Sequence, residues 1–406
     1  MSNLFLSQKE KILPTEIHIC GSKSETNRLL ILNALFQNPL ELHNKSNSED
    51  SFLLENTLNS SELEIDIHHA GTAMRFLTAY FSIQKEKKTI LTGSDRMKER
   101  PISILVEALR SLGAKINYLE KEGFPPLQIE GQKIEKDFIE IQADISSQFI
   151  TALLLIAPKL PNGLTIQLQG KITSLPYLLM SINFLKKVGI SVHFEDNKIQ
   201  IQPQKELKSQ IFTIESDWSS ASYYYSLVAL SSSAEIKLTH FSEKSQQGDA
   251  QISEIYKNHF GVATQISGTQ IQLKKIPDFI YKTFELNLNK TPDIAQTIAV
   301  TAAGLGLKCK LTGLKTLKIK ETNRLLALQN ELKKIGANCV ISDDSLEITG
   351  FCEKEKLPQI KTYNDHRMAM SFAPLVVLYD IEIENPEVVK KSYPDFWEDW
   401  KKLGLL

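Results

Sequence analysis

Apolar residues gather along this chain in two distinct ways. Six segments, 24–36, 72–83, 147–156, 219–230, 293–305 and 365–378, are apolar on nearly every side. A helix that faces solvent buries one stripe, whereas one apolar all round belongs inside a core. Many of these segments open with Ser, Thr or Asp, which suit helix N-caps. A second set is amphipathic and ends in a glycine followed by a strand-like run, as in Ile104 to Gly113 and Phe184 to Gly189. The pattern returns before Gly261, Gly336 and Gly404, at glycine intervals of 76, 72, 75 and 68 residues. Glycine enters positive φ cheaply and so ends helices, and the even spacing marks an internal repeat. Each repeat is predicted to hold one inner helix, one outer helix and strands. Residues 51–60 form the outer helix of a degenerate first copy. Leu63 to His68 and Lys198 to Gln202 alternate apolar and polar, as half-buried strands do. About six repeats exceed one core, so two domains of three are expected.

Composition narrows the function classes. Across 406 residues, 47 basic and 48 acidic side chains leave a net charge of -1, which argues against a nucleic-acid binder and makes any attraction for anions local. Residues 1–14 lack the apolar core of a signal peptide, and no apolar run reaches the ~20 residues that span a bilayer. The four cysteines, Cys20, Cys309, Cys339 and Cys352, show no paired metal spacing and no dense disulfide pattern. A reduced, cytoplasmic protein is the expectation.

Several clusters carry chemistry. Lys23, Ser24 and Arg28 open the first inner helix, with positions 24 and 28 on one face. A solvated helix start is the bland alternative, and the following Leu29-Leu30-Ile31-Leu32 opposes it. Ser146-Ser147-Gln148 and Gly71-Thr72 stand at other helix starts, where caps and turns compete with ligand binding. Arg96 to Pro101 reads as a charged loop running into a helix, with Arg100 suited to forked binding of a carboxylate or phosphate. Lys320, Glu321 and Arg324 set a carboxylate between cations; Glu321 and Arg324 are spaced as a helix-surface ion pair or as a proton carrier among anion-binding groups. Asp293 opens an inner helix, where a cap is the ordinary role. His366-Arg367 follows Asp365 at the last one. His68 and His69 would point to opposite faces of a strand, a poor metal site.

Taken together and in order, these strings resemble the 5-enolpyruvylshikimate-3-phosphate synthase family. The matching runs are Gly21-Ser22-Lys23-Ser24 through Arg28, Ala70 to Arg75, Arg100-Pro101-Ile102, Ser146 to Phe149, Lys320-Glu321 through Arg324, and Asn364 to Met370. The resemblance covers essentially the whole chain. It implies a two-domain inside-out α/β barrel, each domain being three βαβαββ units with buried parallel helices. Residues 1–20 plus 217–406 would form a discontinuous domain carrying both termini, and 21–216 a continuous one, with the active site in the cleft between. The implied reaction moves the enolpyruvyl group of phosphoenolpyruvate to the 5-hydroxyl of shikimate 3-phosphate through a tetrahedral intermediate, in aromatic amino acid biosynthesis.

By the same resemblance, Lys23, Gly71, Thr72, Arg100, Gln148, Arg324, Arg367 and Lys391 would hold phosphoenolpyruvate. Lys23, Ser24, Arg28, Ser146, Ser147, Gln148, Ser174, Tyr177, Asp293, Thr316 and Lys320 would hold shikimate 3-phosphate. Asp293 would take the hydroxyl proton and Glu321 would protonate the methylene carbon, assisted by Lys23 and His366. No metal or organic cofactor is implied, nor any membrane or nucleic-acid partner; glyphosate is an expected inhibitor, and a monomer is expected. The chain departs from the family pattern at His69 (usually Asn), Phe76 (usually Pro), Thr316 (often Asn) and Asn323 (commonly Asp). The alternatives are the sister transferase acting on UDP-N-acetylglucosamine, whose reactive cysteine has no counterpart in 92–100, and a binder that has lost catalysis, against which Lys23, Asp293 and Glu321 together speak.

Overall fold

The computed structural model describes residues 3–144 and 146–406. The chain divides into two compact units, one of residues up to Gly21 with Glu215–Leu406, the other Ser22–Ile214. Each has its own apolar core. The fold is mixed α/β, built from several small mixed sheets.

Four of the sheets have four strands and share one arrangement. In the Ser22–Ile214 unit, Glu64–Asp66 pairs parallel with Lys88–Thr92, which pairs antiparallel with Leu127–Glu130 and through it with Lys115–Tyr118. Phe138–Gln142, Leu164–Gln169, Lys198–Ile201 and Val192–Glu195 repeat this order. The other unit repeats it twice, beginning from Thr15–Ile17 with Glu235–Thr239 and from Phe284–Asn287 with Cys309–Thr312. Strands such as Phe138–Gln142 alternate exposed and buried residues, so each sheet turns one face to solvent and lays the other on helices.

Those helices are the six apolar segments. Lys23–Leu35, Gly71–Ser82 and Ser147–Ile156 lie in one core; Trp218–Leu230, Ala295–Gly304 and His366–Phe372 lie in the other. Every residue of Trp218–Leu230 is buried. Its serines do not go unpaired: Ser222 meets Thr297 Oγ1 at 3.0 Å, Thr297 meets Ser371 at 3.3 Å, and Thr301 donates to Ser226 at 2.7 Å. A ladder of hydroxyls therefore joins the three inner helices of this unit, as burial of polar groups requires. The five repeat glycines all take positive φ, from 65° at Gly261 to 115° at Gly113, at the ends of outer helices such as Ser103–Leu112 and Arg324–Lys334. The degenerate first copy is Glu49–Leu58 and ends at Asn59 instead.

Some expected bounds shift for local reasons. The last inner helix stops at Phe372 and continues as a 3-10 turn, Ala373–Val377, because Pro374 has no N–H to give an α-helix. The segment from 293 begins as the 3-10 turn Pro292–Ile294 before the helix proper. The strand expected through His68 ends at Asp66, since His68 takes a left-handed φ of 45°; the two histidines thus lie in a turn, with His69 Nδ1 2.7 Å from Ser94 Oγ. Residues 95–98 form a short helix capped by Ser94, where a loop is expected.

Candidate active site

Of the Ser, Thr and Asp residues expected to cap many inner helices, Asp365 does so, while Ser147 and Ser219 lie inside helices capped by Ser146 and Asp217. Three helices start without a side-chain cap: Lys23–Leu35, Gly71–Ser82 and Ala295–Gly304. Ser22 Oγ is buried with no hydrogen-bond partner among the described residues, and Ala70 and Ile294 have no side-chain oxygen to offer. At Lys23 and Gly71 the helix start thus has no side-chain cap, which suits an anion, whereas the Ala295 N–H is already taken by Pro292 O of the preceding 3-10 turn.

In the Ser22–Ile214 unit, Lys23 Nζ lies 3.0 Å from Asp50 Oδ2. Arg28, 3% exposed, gives Nη1 to Ser24 O at 2.7 Å, Nε to Ser181 Oγ at 2.8 Å and Nη2 to Tyr177 O at 3.2 Å. Its guanidinium lies 5.7 Å from the ring centroid of Phe76, which is buried within an uninterrupted helix. Burial lowers Arg28 to about 10, with Tyr177 and Glu25 opposing the shift. Tyr177 N in turn donates to Ser174 O at 3.0 Å, and Ser174 is held at a φ of 52°, which a residue with a side chain adopts at a cost. Ser24, Arg28, Ser174 and Tyr177 thus come together.

A second group in this unit gathers Gly71, Thr72, Arg100, Ser146 and Gln148. Gln148 Nε2 donates to Thr72 Oγ1 at 3.1 Å, and Gln148 N to Ser146 Oγ at 3.3 Å. Ser147 is buried at the first position of that helix. Arg75 braces the rest, donating to Gly71 O at 3.2 Å and to Pro101 O at 3.0 Å. Arg100 lies directly over Gly71: a Cβ built on that glycine would stand 2.4 Å from Nη1 and 2.7 Å from Cζ. Gly71→Ala is therefore expected to push the guanidinium aside. The obstructing atoms are the end of a flexible side chain, so unfolding free energy should fall by less than about 1 kcal/mol while the KM for the ligand of Arg100 rises about tenfold. Denaturant unfolding beside steady-state kinetics checks both; an unchanged KM removes Arg100 from the site.

The other unit holds the densest cluster. Asp293 is not a cap. Its Oδ1 lies 3.4 Å from Lys320 Nζ and 3.1 Å from Arg324 Nη1, and its Oδ2 3.2 Å from Arg367 Nη2. Glu321 and Arg324 do not form a helix-surface pair either, because the helix begins at Arg324. Glu321 bridges Arg324 Nη2 at 2.9 Å and Lys391 Nζ at 3.0 Å. Arg324 also forks onto Asp365, Nε to Oδ2 at 2.7 Å and Nη2 to Oδ1 at 3.2 Å. Asp365, fully buried, accepts Arg367 N at 2.9 Å as well. Burial alone would raise the Asp293 carboxyl, but Lys320, Arg367 and Arg324 hold it well below the usual carboxylate range. Burial works against the charge of Arg324, but Asp365, Glu321 and Asp293 hold it well above the usual value.

His366 is buried beside this cluster, its Nδ1 3.7 Å from Asp365 Oδ1. Thr316 lies in the turn Lys315–Ile319 just before Lys320, its Oγ1 buried with no hydrogen-bond partner among the described residues. Asn323 caps the Arg324 helix through Leu326 N at 3.3 Å, the service an Asp there would give. Asp50, Asp365 and Asp249 join these groups beyond the site residues expected from the sequence. Asp249 accepts from Ser219 Oγ, which itself lies 3.4 Å from Arg367 Nη2. Burial and the nearby Asp293 push the Asp249 carboxyl up to about 6, against Arg367 and Ser219. Only Asp365 had a signal, its place within the Asn364-to-Met370 run.

The profile of EPSP synthase (3-phosphoshikimate 1-carboxyvinyltransferase) matches residues 53–400. A 3-phosphoshikimate 1-carboxyvinyltransferase of Bacteroides fragilis is 44% identical, over 98% of this chain and 97% of its own. An EPSP synthase structure from Acinetobacter baumannii superposes with a TM-score of 0.77 at 21% identity, over 99% of this chain and 98% of that one. An enolpyruvyl transferase structure from Streptomyces tendae gives 0.74 at 13% identity, over 99% and 97%.

Proposed function

The chain belongs to the EPSP synthase family, the 3-phosphoshikimate 1-carboxyvinyltransferases, and on that premise we propose how its residues divide the work. It is a transferase of the shikimate route, with phosphoenolpyruvate and shikimate 3-phosphate as substrates. The repeated sheets and inner helices support a finer reading of the fold as three βαβαββ units per domain. The observation that carries the assignment of roles is the cluster of Lys320, Arg324, Arg367 and Lys391 around Asp293, Glu321 and Asp365, four cations against three carboxylates.

Both substrates are polyanions, so the cations that hold them must already be desolvated and in place. Arg324, Arg367, Lys391, Lys23 and Arg100 take the phosphate and carboxylate of phosphoenolpyruvate, with Gln148, Thr72 and the bare backbone of Gly71. Ser24, Arg28, Ser146, Ser147, Gln148, Ser174, Tyr177, Thr316, Lys320 and Lys23 take shikimate 3-phosphate. Asp293 is ionised and surrounded by the cations that the substrates must also touch. As anionic groups arrive, those cations are shared, and Asp293 recovers the basicity they suppress. It then accepts the proton of the 5-hydroxyl as the oxygen attacks C2 of phosphoenolpyruvate. Glu321 delivers a proton to C3, giving the tetrahedral adduct. Loss of phosphate by C–O cleavage, with return of the C3 proton, restores the enol ether. Lys23 and His366 balance charge as these protons move.

The purified chain is expected to release inorganic phosphate only when both substrates are present. Release from phosphoenolpyruvate alone, or none with both, would sink this reading.

A further inference from the structure

Asp365 orients Arg324 and caps the helix that carries Arg367, yet the turn delivering it is strained. Tyr363 and Asn364 are consecutive non-glycine residues at φ of 53° and 55°, a conformation that persists only when its surroundings hold it. The surroundings here are specific. Glu331, fully buried, accepts Tyr363 Oη at 2.7 Å on Oε1, and Lys361 N at 3.0 Å and Lys334 Nζ at 2.6 Å on Oε2. Burial, and then the hydrogen bond to Glu331, push the Tyr363 phenol up to about 12, so it remains a donor at any assay pH.

Glu331 and Arg324 lie on the same helix, Arg324–Lys334. Seven residues are two turns, so both side chains leave one face. The helix therefore grips the strained turn at two points, through Arg324 on Asp365 and through Glu331 on Tyr363 and the Lys361 backbone. On the far side, Asn385 Nδ2 donates to Asn364 Oδ1 at 3.2 Å, and Asn385 leads into the turn Pro386–Lys391, which ends at Lys391.

We propose that Glu331 is a positioning residue for the phosphoenolpyruvate-binding cations, acting through the left-handed Tyr363–Asn364 turn on Asp365. The inference rests on the reading that Arg324 and Arg367 hold phosphoenolpyruvate. Released from Glu331, the turn relaxes toward ordinary backbone angles, Asp365 moves, and the fork to Arg324 loosens.

The test compares Tyr363→Phe, Glu331→Gln and, as a reference, Arg324→Lys in the full chain, by KM for each substrate, kcat and denaturant unfolding. Tyr363→Phe leaves Glu331 bonded to Lys334 and Lys361, so it should fold. Both positioning variants are expected to raise the phosphoenolpyruvate KM about tenfold, with the shikimate 3-phosphate KM within about twofold. If Arg324→Lys raises that KM and the two variants do not, the brace is wrong and the site reading stands. If none of the three raises it, both fail. Lowered stability with both KM values unchanged makes Glu331 structural only and overturns the proposal.

Discussion

Asp293→Asn is expected to lower kcat by roughly 10²–10⁴-fold, the ordinary worth of a positioned acid–base group. Asn keeps the shape and can still accept one hydrogen bond, but it cannot take a proton. The substitution also removes a negative charge from among Lys320, Arg324 and Arg367, which leaves those cations freer for substrate anions. Shikimate 3-phosphate should therefore bind at least as tightly as before, so the loss falls on kcat and not on affinity. Single-turnover quench beside equilibrium binding separates the two. A kcat within about threefold of the parent would strip Asp293 of its role.

The sign of the pH dependence is fixed by the same contacts. The folded-state pKa of Asp293 is depressed, so the stability it contributes is fully present above its unfolded value of about 3.9 and is lost only as pH falls through the folded value. Between pH 5 and 8 the parent and Asp293→Asn should show parallel stability profiles, diverging only in acid. Any acidic limb of kcat/KM in the free enzyme should survive the substitution in shape, because this carboxylate is already ionised there.

Arg324→Ala should produce the largest loss of stability of any single change in the cluster. Arg324 is 1% exposed and serves Asp365, Asp293 and Glu321 at once. Removing it takes the guanidinium from fully buried Asp365, while Asp293 keeps Lys320 and Arg367 and Glu321 keeps Lys391, at a cost of about 3–5 kcal/mol. Arg324→Lys restores the charge without the fork and should recover only part. Denaturant unfolding at neutral pH measures the difference; a loss below about 1 kcal/mol in the alanine variant would mean that water or Arg367 takes over the vacated contacts.

The frame of the molecule was legible in the chain because it is written in short-range chemistry. Gly113 and Gly189 end their helices for a reason contained in a single residue, and helix 147–156 is set by its own apolar run after a serine cap. The site was legible only in its membership. Asp293 read as a cap, yet its partners lie up to 74 residues away at Arg367. Glu321 and Arg324 stand at helical spacing but on either side of a helix start, so spacing alone misstated their geometry. Asp50 and Glu331 gave no signal at all, because a carboxylate becomes a positioning group only when tertiary packing removes the water around it.

The path of the chain has a consequence for how it is made. Ser22–Ile214 is continuous, whereas the strand Asn3–Leu6 pairs with Ile381–Glu384 and Thr15–Ile17 pairs with Glu235–Thr239. On the ribosome the continuous unit can close while the earlier strands still lack partners. At ~5–20 residues per second, the wait of Asn3–Leu6 for its neighbour is on the order of 20–75 s. Through that interval its unpaired edge is a template for any passing strand, so a segment made before the whole continuous unit is among the last to be secured.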